Sequence, residues 1–474
     1  MQREKALAKN TAILMFGKIC TQCISFLLLP LYTSVLDTAE YGTFDIMITY
    51  SMLVLPIVNL QFDQGLFRFM LEHRGKNNKI TNIFSSIFLS CIIQTAAYNV
   101  LLIILNFIHP VENIQFLMIY VSLQVFVSIM LQFSRGLGKS TCYAIASFIS
   151  AVSTVVFNVI ALVFLNKGVY GLFAASILGQ VVTIIYLSFN NKIWKYVSIH
   201  EFKFSTIKEV SQYSLPLIPN NLAWWVVNVS DRLVIKYFLG IASNAIFTVA
   251  SKFPNVFINF YNIVNLSWTE SVSLHFTDED RDVFLSEMMT VFFKLFSTCC
   301  FLIISLMPFV FPVLVNWKYK ESYNQIYILM MAMLFRVMVG LYSCVYIAEK
   351  KSKKVATTSI TAAVINLTLD ILLMRKIGLY AASVSSLIAF MSMFVIRYFD
   401  INRSIRMKIE SKTLFLALTL GVLLGIIYYS ENIAIQFIGF IIVCIYSILT
   451  NKDLIKIILE YIVKFFRQIK RKSN

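Results

Sequence analysis

The sequence predicts an all-α integral membrane protein, and three observations support that fold class. First, the chain of 474 residues is 58% hydrophobic and only 14% charged, whereas soluble proteins are about 45–50% apolar and about 25% charged. Second, the apolar residues form long continuous runs, as membrane-spanning helices do. Third, most of the basic residues fall in every second connection between these runs. The composition excludes a soluble enzyme and intrinsic disorder, and the long runs exclude an outer-membrane barrel.

About 14 transmembrane helices are predicted, because a span needs about 20 mainly apolar residues. The fourteen runs are 11–36, 44–66, 82–108, 114–134, 142–165, 169–189, 211–238, 244–271, 285–313, 324–347, 354–374, 378–398, 411–429 and 432–450. The connections between them are short, which leaves no room for an extramembrane catalytic domain.

Basic residues set the orientation of the chain. If the N-terminus is cytoplasmic, 30 Lys and Arg lie in cytoplasmic segments and 5 on the opposite side. Cytoplasmic loops of membrane proteins are enriched in Lys and Arg, so both termini are predicted to be cytoplasmic. The formal net charge of +17 is explained in the same way, and no nucleic-acid partner is expected.

A weak internal repeat predicts two related six-helix bundles. "LDTAEYGTF" at 36–44 matches "LGIASNAIF" at 239–247, and two further matches follow in order at nearly the same offset of about 205 residues. Six helices per half give a pseudo-two-fold axis along the membrane normal, with a central cavity as the default binding site. The predicted divisions are an N-terminal bundle at 1–190, a cytoplasmic linker at 191–210, a C-terminal bundle at 211–400, two additional helices at 401–451 and a basic tail at 452–474.

The basic tail has helical spacing of its apolar residues, which favours an amphipathic helix on the anionic cytoplasmic leaflet over a frayed end. The eight cysteines lie almost entirely in apolar runs, and the four histidines lie in or near loops. These residues form no metal-binding pattern and no disulfide framework. No metal or organic cofactor is therefore expected.

Basic residues inside the predicted spans are the first candidate site residues, since a charge at membrane depth usually faces a cavity or a partner. They are Lys18, Arg232, Lys236, Lys252, Lys294 and Arg336. Lys252 and Lys294 are predicted near the midplane, because each lies roughly 13 Å along its span. Lys236 is expected to extend towards the membrane surface.

Polar stripes on four spans add further candidates, and that of span one comprises Lys18, Thr21, Gln22 and Ser25. The stripe of span eight comprises Lys252, Asn255, Asn259, Asn262 and Glu270, that of span two Asp45, Thr49, Met52, Pro56, Asn59 and Asp63, and that of span seven Asn221, Trp225, Asn228 and Arg232. Two interpretations stay open: the stripes line a shared cavity, or they bond neighbouring helices to one another. The adjacent Asp231 and Arg232 are open to the same alternative, as partners in interhelical ion pairs.

The residue types of these stripes indicate a ligand. Lys and Arg favour a phosphate, while Asn amides and the Trp225 ring suit sugar hydroxyls and sugar faces. A lipid-linked sugar phosphate carries both groups. The acidic residues Asp63, Asp231 and Glu270 are candidates to carry a coupling proton or sodium ion.

Two stretches resemble polysaccharide flippases of the O-antigen type, in the multidrug/oligosaccharidyl-lipid/polysaccharide exporter superfamily. They are "NTAILMFGKICTQCISFLLLPLYTSVLDTAEYGTFDI" at 10–46 and "NVSDRLVIKYFLGIASNAIFTVASKF" at 228–253. The resemblance implies two helix bundles around a cationic cavity in the bacterial cytoplasmic (inner) membrane. It implies movement of undecaprenyl-pyrophosphate-linked oligosaccharide to the outer leaflet by alternating access, for O-antigen, lipopolysaccharide, capsule or exopolysaccharide synthesis.

The same resemblance implies a set of candidate residues for binding the pyrophosphate or acidic sugars. They are Lys18, Arg232, Lys252, Lys294 and Arg336. A polysaccharide polymerase and a chain-length regulator are the implied protein partners. Two other functions stay open: a cation-coupled drug or small-molecule exporter of the same superfamily, and a membrane-embedded polysaccharide polymerase. The midplane basic residues argue against the exporter of organic cations, and the short outer loops argue against the polymerase, which needs an acid/base pair.

Overall fold

The computed structural model describes residues 26, 28–73, 76–349, 351–452 and 456, and this part of the chain is helical without any strand. The α-helices are α1 Leu29–Val35, α2 Thr38–Val58, α3 Phe62–Glu72, α4 Asn77–Ile108, α5 Ile114–Gly136, α6 Ser140–Val159, α7 Gly168–Asn191, α8 Phe204–Ser214, α9 Leu217–Leu239, α10 Ile241–Leu274, α11 Arg281–Leu314, α12 Ser322–Ala348, α13 Ser352–Ile377, α14 Tyr380–Asn402, α15 Ser411–Tyr428 and α16 Ile433–Thr450. A π-helical turn, Ile160–Phe164, continues α6.

Eleven helices of the described part are long and apolar enough to cross a membrane, which confirms the predicted fold class. These helices are α2, α4, α5, α6 with its π turn, α7 and α11 to α16. Of the three other predicted spans, the first, 11–36, lies mostly outside the described residues. The seventh and eighth correspond to α9 and α10, which have the length of a span but carry several polar residues that lower their mean hydropathy.

The second predicted span, 44–66, is not one helix. The structure divides it into α2 and α3, because the backbone at Leu60 and Gln61 is left-handed, with φ of 48° and 55°. Residues other than glycine rarely adopt this backbone conformation. Pro56 lies one turn earlier in α2 and weakens the helix there, since proline lacks an N–H. The break places Asp63 in the first turn of α3.

The chain separates into two compact units, Met1–Thr248 and Val249–Asn474. In the first unit, an apolar core of α3, α4 and α5 residues includes Phe84 and Phe133, whose ring centroids lie 4.0 Å apart. In the second unit, α12 is the most deeply packed of the candidate spans, and buried side chains from α12, α13 and α14 form one of its apolar clusters. The domain bounds and the central cavity expected from the sequence stay predictions.

The segment expected to be a linker, 191–210, is folded onto the first unit. It contains two 3-10 turns, Ile193–Lys195 and Ile199–Glu201, followed by the start of α8. Ile193 and Val210 are buried in the same apolar core as Phe84. The segment is polar enough in sequence to be predicted as a loop, but its spaced apolar side chains give it a packed inner face.

Candidate functional site

A buried carboxylate of α2 organises the polar contacts of the first unit. Asp45, only 7% exposed, accepts hydrogen bonds from the Arg232 guanidinium at 2.9 Å and from the Thr248 hydroxyl at 2.8 Å. Its second oxygen also accepts from the Asn244 amide at 3.2 Å. Asp45 therefore links α2 to the end of α9 and to the first two turns of α10.

The other polar residues of α9 extend the same contact with α2 and the break that follows it. The Asn221 amide donates to the Gln61 side chain at 2.8 Å, and the Trp225 indole N–H donates to the Thr49 carbonyl at 3.3 Å. These residues were predicted to contact sugar. The structure shows Trp225 bonded to Thr49 of the span-two stripe and Asn221 bonded to Gln61 in the break after α2, and their role towards a ligand stays a prediction.

Lys236 follows the same pattern at the end of α9. Its Nζ donates to the Tyr50 hydroxyl at 3.1 Å and lies 5.1 Å from the centroid of that ring. A tyrosine hydroxyl and ring satisfy the ammonium group without a carboxylate. Lys236 thus reaches towards α2 as well as along its own helix.

Arg232 keeps part of its side chain accessible. Its side chain is 18% exposed, and Asp45 is the one group in the described part of the chain that accepts a hydrogen bond from it. A guanidinium has five N–H donors and binds phosphate in a bidentate manner. The Arg232 side chain can therefore serve both Asp45 and an anionic ligand. Its neighbour Asp231 is buried.

Asp63 has neutral partners. Its carboxylate, almost fully buried in the first turn of α3, accepts from the Asn59 and Gln64 amides at 2.9 Å each. Within the described residues, no Lys or Arg nitrogen lies within the 4.0 Å that defines an ion pair. The proton-carrying role expected of Asp63 stays a prediction.

In the second unit, three asparagines of the α10 stripe are open. Asn255 and Asn262 are exposed and Asn259 is half-buried, and none of their amides bonds to a described residue. Lys252, one turn earlier, is half-buried. This stripe differs from the described part of the α9 stripe, where the Asn221 amide bonds Gln61 and the Trp225 indole bonds Thr49. Open amides are available to a polar ligand.

Arg336 is a basic residue of the second unit that lies within a predicted span. It lies halfway along α12, half-buried, with its guanidinium 5.7 Å from the Phe390 ring centroid. The nearest polar contact is the Met333 sulfur at 4.0 Å, and no carboxylate of the described part lies within 4.0 Å. An arginine in this setting suits an anionic ligand.

Lys294 does not lie at the midplane, which corrects the sequence expectation. Its Nζ pairs with the Glu410 carboxylate at 3.2 Å, and Glu410 directly precedes α15. Since α15 has 18 residues, about 27 Å, it only just spans a hydrocarbon core of about 30 Å. The start of α15, and Lys294 with it, therefore lies at the membrane edge.

The segment before α15 explains this placement. Its backbone N–H groups donate hydrogen bonds to side chains on successive turns of α11. The Arg406 N–H donates to the Asp282 carboxylate at 3.0 Å, the Lys408 N–H to the Ser286 hydroxyl at 3.2 Å and the Glu410 N–H to the Thr290 hydroxyl at 3.2 Å. The first thirteen residues of the 34-residue α11 therefore lie beside the segment that precedes α15, outside the hydrocarbon core of the membrane. The hydroxyl of Thr413 and then the Lys294 ammonium lower the pKa of Glu410 below its ordinary value.

Two charged residues of the second unit were missed by the sequence analysis. Arg397 was counted with the basic residues of the cytoplasmic connections although it lies in predicted span 378–398, and it is 1% exposed on α14. It donates to the Thr358 hydroxyl at 2.8 Å, to the Val339 carbonyl at 3.1 Å and also to Ser343. These contacts join α12, α13 and α14. The only sequence signal was its position within the last apolar turns of span twelve.

The second missed residue is Asp370, fully buried on α13, whose carboxylate accepts from the Ser385 hydroxyl of α14 at 2.8 Å. Asn366, one turn earlier, donates to Ser385 and Ser386 at 3.2 and 3.3 Å. An aspartate inside the apolar run 354–374 was the available signal. Three predicted residues cannot be placed: Lys18 and the side chains of Asn228 and Glu270 lie outside the described part of the chain.

Comparison with known proteins adds a family match. Residues 7–268 match the family described as "Polysaccharide biosynthesis protein". This match covers more than half of the chain and includes the Asp45 and Arg232 contact. No curated protein matches the sequence significantly.

Several solved structures have a similar fold. The lipid II flippase MurJ, in an inward closed conformation, aligns with a TM-score of 0.69 at 15% identity over 94% of this chain and 100% of that chain. An inward-facing multidrug resistance MATE transporter of the MOP superfamily aligns with a TM-score of 0.67 at 14% identity, over 81% and 95%. A MOP superfamily transporter from Pyrococcus furiosus gives 0.55 at 12% identity, over 83% and 96%. At these identities the likeness establishes the fold.

Proposed function

Because the chain belongs to the polysaccharide biosynthesis protein family, we propose that it is a flippase for lipid-linked oligosaccharide. Its cargo is undecaprenyl-pyrophosphate-linked oligosaccharide, moved by alternating access from the cytoplasmic to the outer leaflet of the bacterial inner membrane. Both termini are then cytoplasmic. The cargo continues to a polysaccharide polymerase and a chain-length regulator, for O-antigen, capsule or exopolysaccharide.

The open stripe of α10 carries this proposal. Asn255, Asn259 and Asn262 offer amides with no described partner, beside the half-buried Lys252. Polar groups within a membrane protein are costly unless they meet water, protein or a polar ligand. Amides suit the hydroxyls of a sugar, and the ammonium suits the acidic part of the cargo. A hydrophobic drug would leave the three amides unsatisfied.

Arg232 and Arg336 supply sites for the pyrophosphate. Arg336 has no carboxylate within ion-pair distance in the described part, so it binds the diphosphate without displacing another anion. At Arg232 the diphosphate competes with Asp45, which keeps its bonds to Thr248 and Asn244 when the guanidinium turns away. Charge-assisted bonds from arginine to phosphate are about twice as strong as neutral ones.

A coupling ion completes the proposed cycle. We assign a proton to Asp63, because its Asn59 and Gln64 partners are neutral amides and no Lys or Arg of the described part pairs with it. Sodium is the competing ion, and the two are distinguished by which gradient drives transport.

Lipid analysis of cells that lack the chain tests the proposal. A complete oligosaccharide on undecaprenyl pyrophosphate should accumulate, and impermeant glycan-modifying reagents should fail to reach it, because it stays in the cytoplasmic leaflet. Accumulation in the outer leaflet would instead indicate a polymerase. Normal display of polysaccharide with no accumulated lipid would indicate an exporter of small molecules.

A further inference from the structure

The segment between α7 and α8 forms a structured surface that the proposed function does not use. We name residues 192–208 the interfacial elbow; it contains both 3-10 turns and the first turns of α8. It was predicted as a plain cytoplasmic linker. In the structure it has two distinct faces.

The inner face is fixed to α4. The Ser85 hydroxyl donates to the Tyr196 carbonyl at 2.6 Å and accepts from the Ser198 N–H at 3.0 Å. The Lys203 N–H donates to the Ser86 hydroxyl at 3.0 Å. The Tyr196 ring also packs on Phe133, with centroids 5.1 Å apart. These contacts settle which side of the elbow faces the first unit.

The outer face is apolar and basic at once. Trp194, Ile199 and Phe204 are 57%, 77% and 74% exposed. The exposed basic residues of the elbow are Lys192, Lys195, Lys203 and Lys208. Its acidic residue is Glu201, which is half-buried, and Glu209 follows it in α8. Large exposed aromatic side chains on a rigid segment indicate a surface that meets an apolar phase.

Two helices place the elbow at the same depth. The 32 residues of α4 extend about 48 Å, so a core of about 30 Å measured back from Ile108 ends near Phe88. Ser85 and Ser86, which hold the elbow, lie about 3–5 Å beyond that edge. The 24-residue α7 reaches about 36 Å and ends just before Lys192. Both estimates place the elbow among the lipid headgroups.

We propose that the interfacial elbow binds anionic phospholipid headgroups of the leaflet on the side of the basic loops. Trp194 and Phe204 insert at the boundary of headgroups and acyl chains, a depth at which Trp is enriched. The lysines bind the phosphates, and their aliphatic stems lie along the apolar surface. The exposed rings of the elbow continue the lipid-facing surface of α7, whose Phe189 contacts Trp194 at 5.7 Å between centroids.

Lipid retention by the full-length protein tests the proposal. The protein is reconstituted in nanodiscs of phosphatidylglycerol and phosphatidylcholine, and the retained lipids are counted by native mass spectrometry. In the variant K195Q/K203Q, the preference for phosphatidylglycerol should fall by about fivefold per lysine. The control is K76Q/K79Q, because these exposed lysines carry the same charge but lie about 13 Å or more beyond the core edge.

An unchanged preference in K195Q/K203Q, or an equal loss in the control, would overturn the proposal. A second measurement does not depend on lysine substitution. The Trp194 fluorescence, taken as the difference between the native protein and W194F, should be quenched by lipids brominated near the headgroup. Quenching by aqueous iodide alone would place the elbow in water and refute membrane contact.

Discussion

Asp45 and Arg232 form an ion pair at 2.9 Å between α2 and α9, and the same carboxylate accepts from the Thr248 hydroxyl of α10. Both residues belong to predicted spans, where a charge without a partner is costly. The pair therefore joins α2 to α9, and the same carboxylate joins them to the first turns of α10. In the proposed function, the partly accessible Arg232 side chain also binds the diphosphate.

A double-mutant cycle tests the structural part of this role. Asp45→Ala leaves Arg232 without its carboxylate and should lower the free energy of unfolding by about 3 kcal/mol, as breaking a largely buried pair does. D45A/R232A should cost clearly less than the sum of the single variants, because no charge is left unpaired. Thermal unfolding in detergent measures this coupling. Additive losses would show that the two side chains do not interact.

The open asparagines of α10 should matter for transport and not for stability. N255A/N259A/N262A removes three amides that have no described partner, so the unfolding temperature should stay within a few degrees while flipping falls at least tenfold. Polysaccharide display in complemented cells, with protein levels checked, is the measurement. The matched control is N77A/N78A, which removes exposed amides at the start of α4. Normal display in the triple variant contradicts the assignment.

Asp63 should control coupling to the proton gradient. Asp63→Asn keeps the shape but cannot titrate, and it gives up one of the two amide hydrogen bonds, which costs about 1 kcal/mol. Transport into liposomes should then lose its response to a pH gradient while the protein stays folded. A sodium gradient that drives the native protein, with no effect of pH, would rule out the proton assignment.

Lys294 and Lys252 should behave differently, although the sequence placed both at the midplane. Lys294 pairs with Glu410 at the edge of the membrane, so Lys294→Gln should leave transport within about twofold of the native rate. Lys252→Gln, beside the open asparagines, should reduce transport at least fivefold. The measurement is the transport rate of each variant and of the native protein in liposomes of the same lipid composition. Equal losses in both variants would place Lys294 on the path of the cargo after all.

Arg397 should be a stability residue of the second unit. Arg397→Ala removes a buried guanidinium that donates to the Val339 carbonyl and to the Thr358 hydroxyl, and hydrogen bonds to charged groups contribute about 1.5–3 kcal/mol each. The total loss of unfolding free energy should exceed about 3 kcal/mol. Arg403→Ala, an exposed arginine nearby, should stay within about 0.5 kcal/mol. If both variants unfold at the same temperature as the native protein, the Arg397 contacts contribute nothing to its stability.

The spans were predictable because membrane crossing depends on the length and hydropathy of one segment, which a single sequence contains. Most span bounds agree with the helices to within about five residues, as α5 and α16 show. The break at Leu60 and Gln61 was not predictable, since the left-handed backbone occurs at residues with no turn signal. Pro56 was noted, but proline is common in membrane helices.

The contacts of the candidate site depend on pairing between helices, which a single sequence does not contain. The stripes of spans two and seven were found by their spacing, but that spacing does not show that Arg232 reaches Asp45 or that Trp225 reaches Thr49. Lys294 was misplaced because α11 is longer than a membrane is thick. Arg397 was misassigned because it lies where a span ends, the least certain position in any sequence prediction.

Transport by the purified protein tests the central claim most directly. Liposomes are loaded with a fluorescent undecaprenyl-pyrophosphate oligosaccharide in both leaflets, and an impermeant reductant is added outside. With the native protein, nearly all the fluorescence should be lost, because flipping exposes the inner pool. With N255A/N259A/N262A, or without protein, about half should remain. If half of the fluorescence also remains with the folded native protein, the proposed flippase function is contradicted.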